Sequence, residues 1–133
     1  MDGRPAIDEP TIRRMLEDLG DEGLEIFDQL IAIFISDTSR LLSELKDAAA
    51  RSDFDEAARK AHRIKGGSAQ IGALTLRADS EMAETSAHSG DSACLQAAVD
   101  RMTNHWPHVV AELAAVKDRV RSGMSVEAGG AIV

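Results

Sequence analysis

The stretch at residues 22–50, EGLEIFDQLIAIFISDTSRLLSELKDAAA, determines the fold class of this chain. Its apolar residues recur at steps of three and four positions, the spacing that places side chains on one face of an α-helix. The members of this stripe are Phe27, Leu30, Ile31, Phe34, Leu41, Leu42, Leu45 and Ala48. Ile26, Ile33 and Ile35 lie partly off the stripe, and they indicate either burial on two sides or an exposed docking patch.

Four further amphipathic segments flank this long helix. They are predicted at residues 10–19, 53–71, 74–88 and 91–121. Because short turns join the segments and no strand pattern competes with them, the sequence predicts an all-α fold, an antiparallel up-down four-helix bundle with a short extra N-terminal helix. We expect residues 1–9 to form an N-terminal arm, residues 10–121 the domain, and residues 122–133, which lack periodicity, a flexible C-terminal tail.

Two helix boundaries carry explicit sequence signals. Ser52, with Asp55 three residues later, resembles a capping box in which Asp replaces the usual Glu, and it predicts that the third segment begins after Ser52. Pro107 lies inside the fifth segment, so we expect a kink or a break of that helix near Asn104.

The composition and charge of the chain exclude several classes of function. Its 133 residues suit one domain, and aromatic residues are only 3% with no tyrosine, which disfavours β architectures. With 15 basic and 23 acidic side chains the net charge is −8, so the chain repels nucleic acid and anionic lipid. The longest apolar run, residues 30–35, is too short to span a bilayer, and the N-terminus does not resemble a signal peptide. We therefore expect a cytoplasmic protein.

Several residues that could carry chemistry are better explained as ordinary structure. Cys94 is predicted to be a small core residue, and Trp106 a core plug or a half-buried anchor. His105 and His108 are three residues apart and could share a helix face, but no carboxylate-rich ligand pair accompanies them and Pro107 distorts the turn. We therefore predict no metal site.

The third segment contains two adjacent glycines, each of which costs about 1 kcal/mol relative to alanine inside a helix. Such a cost indicates that something approaches the helix backbone closely. On a helical wheel, His62 points about 130° away from the centre of the core-facing side. Its neighbours on that face are small or cationic: Ala58, Arg59, Lys65, Gly66 and Ala69. The His62 ring is therefore predicted to stand in water, on a surface open to another protein.

An exposed histidine with cations beside it suits phosphoryl transfer. A neutral imidazole is nucleophilic at a ring nitrogen near pH 7. Lys65, three residues after His62, can balance the charge that builds on three phosphoryl oxygens. Arg59, Lys60 and Arg63 add positive charge, which would attract a partner with an acidic active site. The alternative for His62 is a merely solvated residue, and the bare helix face argues against it.

Residues 61–73, AHRIKGGSAQIGA, resemble the signature of histidine phosphotransfer (HPt) domains. In that signature a histidine is followed by an apolar residue, Lys-Gly, small residues and a later Gly. The resemblance extends from about residue 12 to residue 121 and implies an up-down four-helix bundle plus a short N-terminal helix.

The same resemblance implies roles for individual residues. His62 would carry the phosphoryl group, Lys65 would assist, and Gly66 would permit access by the partner. Family members often place Gln or Glu on the next helix beside the histidine, and Glu84 stands at a matching distance here. A carboxylate bonded to the other ring nitrogen would fix the tautomer of the imidazole. The alternative for Glu84 is a solvated surface residue.

The resemblance also implies partners. The chain would be a phosphocarrier of a two-component phosphorelay without its own ATP site, acting as a monomer and holding no metal or cofactor. Its partners would be response-regulator receiver domains, which supply Mg²⁺, and a sensor or hybrid histidine kinase. The residues expected to dock the receiver, with apolar support from the second segment, are Gly66, Gly67, Ala58, Arg59, Arg63, Ala69, Ile12 and Met15.

Two other functions are open on the sequence. A helical adaptor would bind receiver or kinase domains without carrying phosphate, but such an adaptor would not need the set of His62, Lys65 and Gly66. A metal- or cofactor-binding bundle would need inward-facing ligands, which the sequence lacks.

Overall fold

Helices account for nearly all of the backbone in the computed structural model, which describes residues 6–130, with side chains as far as Gly123. The helices are α1 (Glu9–Leu19), α2 (Gly23–Ala50), α3 (Phe54–Ile71), α4 (Leu74–His88) and α5 (Ser92–Gly130). A 3-10 turn, Gly20–Glu22, joins α1 to α2. All five predicted segments are present, and only the last one ends far from its predicted position.

Helices α2 to α5 form a four-helix bundle. Each of them packs against the next one along the chain, α2 also packs against α5, and α1 lies on α2 as a short extra helix. The largest fully buried side chains line the interior of the bundle: Phe27, Leu45, Ile64, Leu76, Leu95, Met102 and Leu113. Removal of this apolar surface from water is the main source of stability. The predicted all-α up-down bundle is confirmed.

Four apolar residues of α2, three of them off the predicted stripe, divide into two groups. Ile26 and Ile35 are half-buried. Leu30 and Ile33 present apolar surface to solvent, with 39% and 57% of each residue exposed. Of the three residues that the sequence left open, only Ile33 is exposed. Leu30, which was predicted to lie on the buried stripe, is exposed as well, so that part of the prediction was wrong. Among the helices of the described region, none is both long enough and apolar enough to cross a membrane.

The boundary between α2 and α3 differs from the predicted capping box. Ser52 adopts a left-handed backbone conformation, with φ 54°, and its N–H donates to the carbonyl of Ala49, so it terminates α2. Asp53 is the N-cap of α3 instead, because its carboxylate accepts the N–H of Glu56 at 3.2 Å. The prediction that Ser52 caps α3 was wrong, since that residue is used by the preceding helix.

Helix α5 continues through Pro107, so of the kink or break expected near Asn104 the break does not occur. Pro107 is exposed, while Met102 before it and Val109 after it are both fully buried. Packing on both sides of the proline outweighs its cost of about 3 kcal/mol in a helix.

The predicted tail at residues 122–133 begins inside α5, which extends to Gly130. Once a helix has formed, each added residue gains one backbone hydrogen bond without a new nucleation cost. A segment without an apolar stripe can therefore prolong the helix. The last three residues of the predicted tail, and residues 1–5 of the predicted N-terminal arm, lie outside the described residues.

Cys94 and Trp106 have different environments. Cys94 is exposed, and the prediction that it is a core residue was wrong, because it lies in the first turn of α5, where its N–H donates to the Asp91 carboxylate. A second hydrogen bond, from the Cys94 thiol to the Asp91 carboxylate, raises the pKa of the thiol, which disfavours the nucleophilic thiolate. Trp106 is half-buried and packs edge-on against Phe34, with ring centroids 5.8 Å apart.

Residues 6–8, before α1, form a short N-terminal strap that links the α3–α4 turn to α5. The N–H of Asp8 donates to the carbonyl of Gly72, and the N–H of Leu74 donates to that of Ala6, both at 2.8 Å. The N–H of Ala6 in turn donates to the Glu112 carboxylate at 2.9 Å. The strap makes one isolated bridge, Ile7 with Ala73, and residues 6–130 contain no strand.

Because Gly72 packs closely against residues of the strap and of α1 and Gly90 does not, we expect their substitutions to differ in their cost to stability. Gly72 and Gly90 have φ values of 75° and 66°, which penalise any side chain by about 1–2 kcal/mol. A Cβ at Gly72 would also lie 3.1 Å from the Thr11 Cβ and 3.2 Å from the Asp8 carbonyl, whereas one at Gly90 meets nothing within 4 Å. Gly72→Ala should therefore lower the free energy of unfolding by roughly 1 kcal/mol more than Gly90→Ala in denaturant titrations. Equal losses in the two variants would contradict the prediction, because they would mean that the strap moves aside at no energetic cost.

Candidate functional site

The His62 ring stands outside the bundle, on the face of α3 that turns towards α4. Its side chain is 67% exposed, in agreement with its position on the helical wheel. It lines a cavity of about 470 Å³ together with Asp55, Ala58, Arg59, Arg63, Glu84 and His88. The ring therefore borders open space that is bounded by the two helices.

Glu84 of α4 holds two side chains of α3 at once. Its Oε2 lies 2.8 Å from Nδ1 of His62, and its Oε1 accepts a hydrogen bond from Nζ of Lys65 at 2.6 Å. The Glu84 side chain is only 15% exposed, so these contacts are partly shielded from solvent. The alternative of Glu84 as a solvated surface residue does not hold in this geometry.

The contacts of Glu84 keep its carboxyl group ionised. Partial burial raises the pKa of this group, but the hydrogen bonds from Lys65 and His62 lower it by more, so the pKa falls below its ordinary value of 4.5. A carboxylate only accepts hydrogen bonds, so Nδ1 of His62 carries the proton that it donates. In a neutral ring, Nε2 then keeps its lone pair, and that nitrogen is available as a nucleophile.

Gly66 and Ala69 leave the helix surface bare one and two turns after His62. Both residues are exposed, and a Cβ added at Gly66 would meet nothing within 4 Å. Ala58, one turn before His62, was expected on the same bare face, but it is buried because α3 packs against α4 there, and it forms part of the cavity wall. Access to the ring is therefore open on the side of Gly66.

An apolar groove of about 450 Å³ runs beside this face, between α2 and α3. Its lining includes Met15, Leu30, Ile33, Phe34, Gly67 and Ile71. Gly67 belongs to this groove, because a Cβ there would lie 3.7 Å from the Phe34 ring. Ile12 was expected to support docking, but it is fully buried in the core, so only Met15 of α1 reaches the groove.

Sequence reasoning missed His88, the last residue of α4. Its Nε2 lies 3.9 Å from the same Oε2 of Glu84 that contacts His62, and its ring lines the same cavity. The signal was the spacing of Glu84 and His88, four residues apart, which places both side chains on one helix face.

A second polar cluster lies between α4 and α5. His105 contacts the buried Asp79 carboxylate at 2.6 Å through Nδ1, and Arg101 lies 3.6 Å from the same residue. His108 is exposed. Across the described residues, no group of three His, Cys, Asp or Glu side chains is placed to hold a metal ion.

The comparisons with known proteins agree with this geometry. The family model described as "Hpt domain" matches residues 29–119, a span that contains His62, Lys65 and Glu84. The chain is similar to the crystal structure of histidine-containing phosphotransfer protein B (HptB) from Pseudomonas aeruginosa PAO1, with a TM-score of 0.77 and 25% sequence identity. This match covers 88% of this chain and 98% of that chain. No curated protein matches the sequence.

The lowered pKa of Glu84 predicts a pH-dependent contribution to stability. Ionised Glu84 stabilises the fold fully above its unfolded-state pKa, and this contribution is lost as the pH falls through the lower pKa of the folded state. Glu84→Gln should therefore lower the free energy of unfolding by about 1 kcal/mol at pH 7, and the difference from wild type should close below pH 4.5.

Denaturant titrations at several pH values measure this difference. Glu81→Gln is the matched control, because Glu81 is exposed on the same helix and makes no ion pair with any described side chain. A difference between Glu84→Gln and wild type that does not change with pH would contradict the prediction.

Proposed function

The chain belongs to the Hpt domain family, and from this premise we propose that His62 accepts a phosphoryl group and passes it on within a phosphorelay. Proteins of this family are phosphocarriers and not kinases. The observation that supports His62 as the acceptor is its contact with Glu84, 2.8 Å from Nδ1, on a side chain that is 67% exposed and whose other ring nitrogen this contact leaves free.

The proposed step is an in-line transfer between a partner's aspartyl phosphate and Nε2 of His62. The lone pair of Nε2 forms the new P–N bond while the P–O bond to the aspartate breaks, and the partner's carboxylate leaves with that electron pair. The ring gains a positive charge because Nδ1 keeps its proton. The Glu84 carboxylate, already bonded to Nδ1, balances that charge without reorganisation.

Lys65 is proposed to balance charge on the phosphoryl group. Its ammonium group is held at 2.6 Å by Glu84, the same residue that orients the His62 ring. The charge that spreads over the phosphoryl oxygens during transfer is stabilised by a cation that is already in position. Glu84 is thus a positioning residue for both groups.

The proposed docking partner is a receiver domain that carries its aspartate in an acidic active site. The bare surface at Gly66 and Ala69 gives such a domain access to Nε2, and the cations Arg59 and Arg63 complement its charge. The apolar groove beside this face, with the exposed side chains of Leu30 and Ile33 and part of Met15, offers area for docking. A sensor or hybrid histidine kinase would supply the phosphoryl group to the relay.

We assign the Mg²⁺ of the reaction to the receiver domain. Both oxygens of Glu84, the carboxylate closest to His62, are already engaged by His62 and Lys65. The proposed unit is a single chain, because α3 and α4 of one molecule supply all three of these side chains. We place its action in the cytoplasm, where a kinase has access to ATP.

Replacement of the acceptor should abolish phosphorylation. Wild-type protein incubated with a ³²P-labelled phospho-receiver should gain a label that is labile to acid and stable to alkali, because a P–N bond forms. His62→Gln should gain none and should keep its helical circular dichroism, because the ring is exposed.

His88→Gln is the matched control for this experiment, because His88 is an equally exposed histidine in the same cavity. It should still gain the label. Receiver binding without any label on the wild-type protein would favour the adaptor function, and a label on His62→Gln would refute His62 as the acceptor.

A longer side chain at Gly66 should block transfer while the fold survives. Gly66→Gln should stabilise the isolated protein by up to about 1 kcal/mol, since it removes a glycine from a helix interior where nothing lies within 4 Å. The same side chain would occupy the space through which the partner reaches His62, so labelling by the phospho-receiver should fall by more than about tenfold.

Ala114→Gln on the exposed face of α5 adds a matched side chain far from His62 and should transfer normally. Unimpaired labelling of Gly66→Gln would contradict the proposed approach of the partner over Gly66.

A further inference from the structure

The cations around His62 differ in whether a carboxylate already engages them. Lys65 is bonded to Glu84, and Arg59 is paired with Glu56. Lys60 contacts Glu44 at 2.8 Å and Glu56 at 3.2 Å, which removes it from the positive patch that the sequence predicts.

Arg63 is the exception on this face of α3. It is exposed, and within residues 6–123 no carboxylate forms an ion pair with it. Its guanidinium group keeps all of its donors available for a ligand outside the chain. In a protein with a net charge of −8, an unpaired cation beside the candidate acceptor is a specific attractive contact for an acidic partner.

The position of Arg63 connects the two concave surfaces of the molecule. It lines the cavity of about 470 Å³ that contains His62, and it also lines the apolar groove of about 450 Å³ between α2 and α3. A partner seated in the groove and reaching the ring must pass over the ridge that Arg63 forms.

We propose that Arg63 determines partner specificity by binding a carboxylate of the receiver domain at the ridge between the apolar groove and the His62 cavity. This inference rests on the proposed function and adds to it the residue that sets the register of docking. A receiver that places its apolar surface in the groove and a carboxylate on Arg63 is oriented with its phosphorylated aspartate towards Nε2 of His62.

The chemistry of the side chain favours this role. Guanidinium binds a carboxylate through two parallel hydrogen bonds, so it fixes orientation as well as proximity, which the single ammonium group of a lysine does not. A charge at the rim of an interface acts mainly on association and on its salt dependence.

The test is the rate of transfer from a ³²P-labelled phospho-receiver at increasing receiver concentration. Arg63→Ala should raise KM about five- to tenfold with a much smaller change in kcat, because it removes a docking contact. Arg63→Lys should recover only part of the loss. The dependence of kcat/KM on salt concentration should be shallower for Arg63→Ala than for wild type.

Lys46→Ala is the matched control for net charge. Lys46 is exposed on α2 and makes no ion pair with the described side chains, and it lies about 200° around the helix from Glu44, which contacts α3. It should leave KM within about twofold of wild type. A rise in KM that Lys46→Ala matches would overturn the proposal, because net charge alone would then explain it. Full recovery by Arg63→Lys would overturn it as well.

A second donor separates this inference from the proposed function. Phosphoramidate is a small phosphoryl donor that needs no docking surface, so the loss of rate in Arg63→Ala should be several-fold smaller with it than with the phospho-receiver. Equal losses with both donors would refute a docking role for Arg63 and leave His62 as the acceptor. A wild-type protein that neither donor labels would refute the proposed function itself.

Discussion

The carboxylate of Glu84 is the contact on which the whole site depends. It crosses from α4 to α3, engages Nδ1 of His62 with one oxygen and Nζ of Lys65 with the other, and remains ionised because both partners lower its pKa. One side chain thereby sets the tautomer of the ring, the orientation of the ring and the position of the Lys65 ammonium group. Without this anchor, an imidazole that stands in water would rotate freely and present either nitrogen.

The bundle makes that contact possible by bringing α3 and α4 close together. The buried side of α4 is dominated by small residues, among them Ser80, Ala83 and Ala87, and α3 contributes Ala57 and Ala61 to the core. Small side chains let neighbouring helices approach, so a glutamate on one can reach a histidine and a lysine on the other. The small side chains between α3 and α4 therefore also shape the site.

Most of the fold was predictable because local signals and tertiary packing agree along most of the chain. The apolar stripe of α2 and the exposure of His62 follow from helical periodicity alone. The errors arise where one residue serves two elements or where packing overrides a local rule, as Ser52 ends α2 and Pro107 stays inside α5. The burial of Ala58 depends on a neighbouring helix, which no single helical wheel contains.

Water reaches the outer nitrogen of His62 as freely as a protein does, because 67% of the side chain is exposed and Gly66 adds nothing that covers it. A phosphoryl group carried there would have no lid against hydrolysis among the side chains of residues 6–123, and its lifetime would be that of an unprotected P–N bond. A carrier of this design suits prompt hand-over rather than storage. The phosphorylated state would be lost by hydrolysis whenever no acceptor arrives.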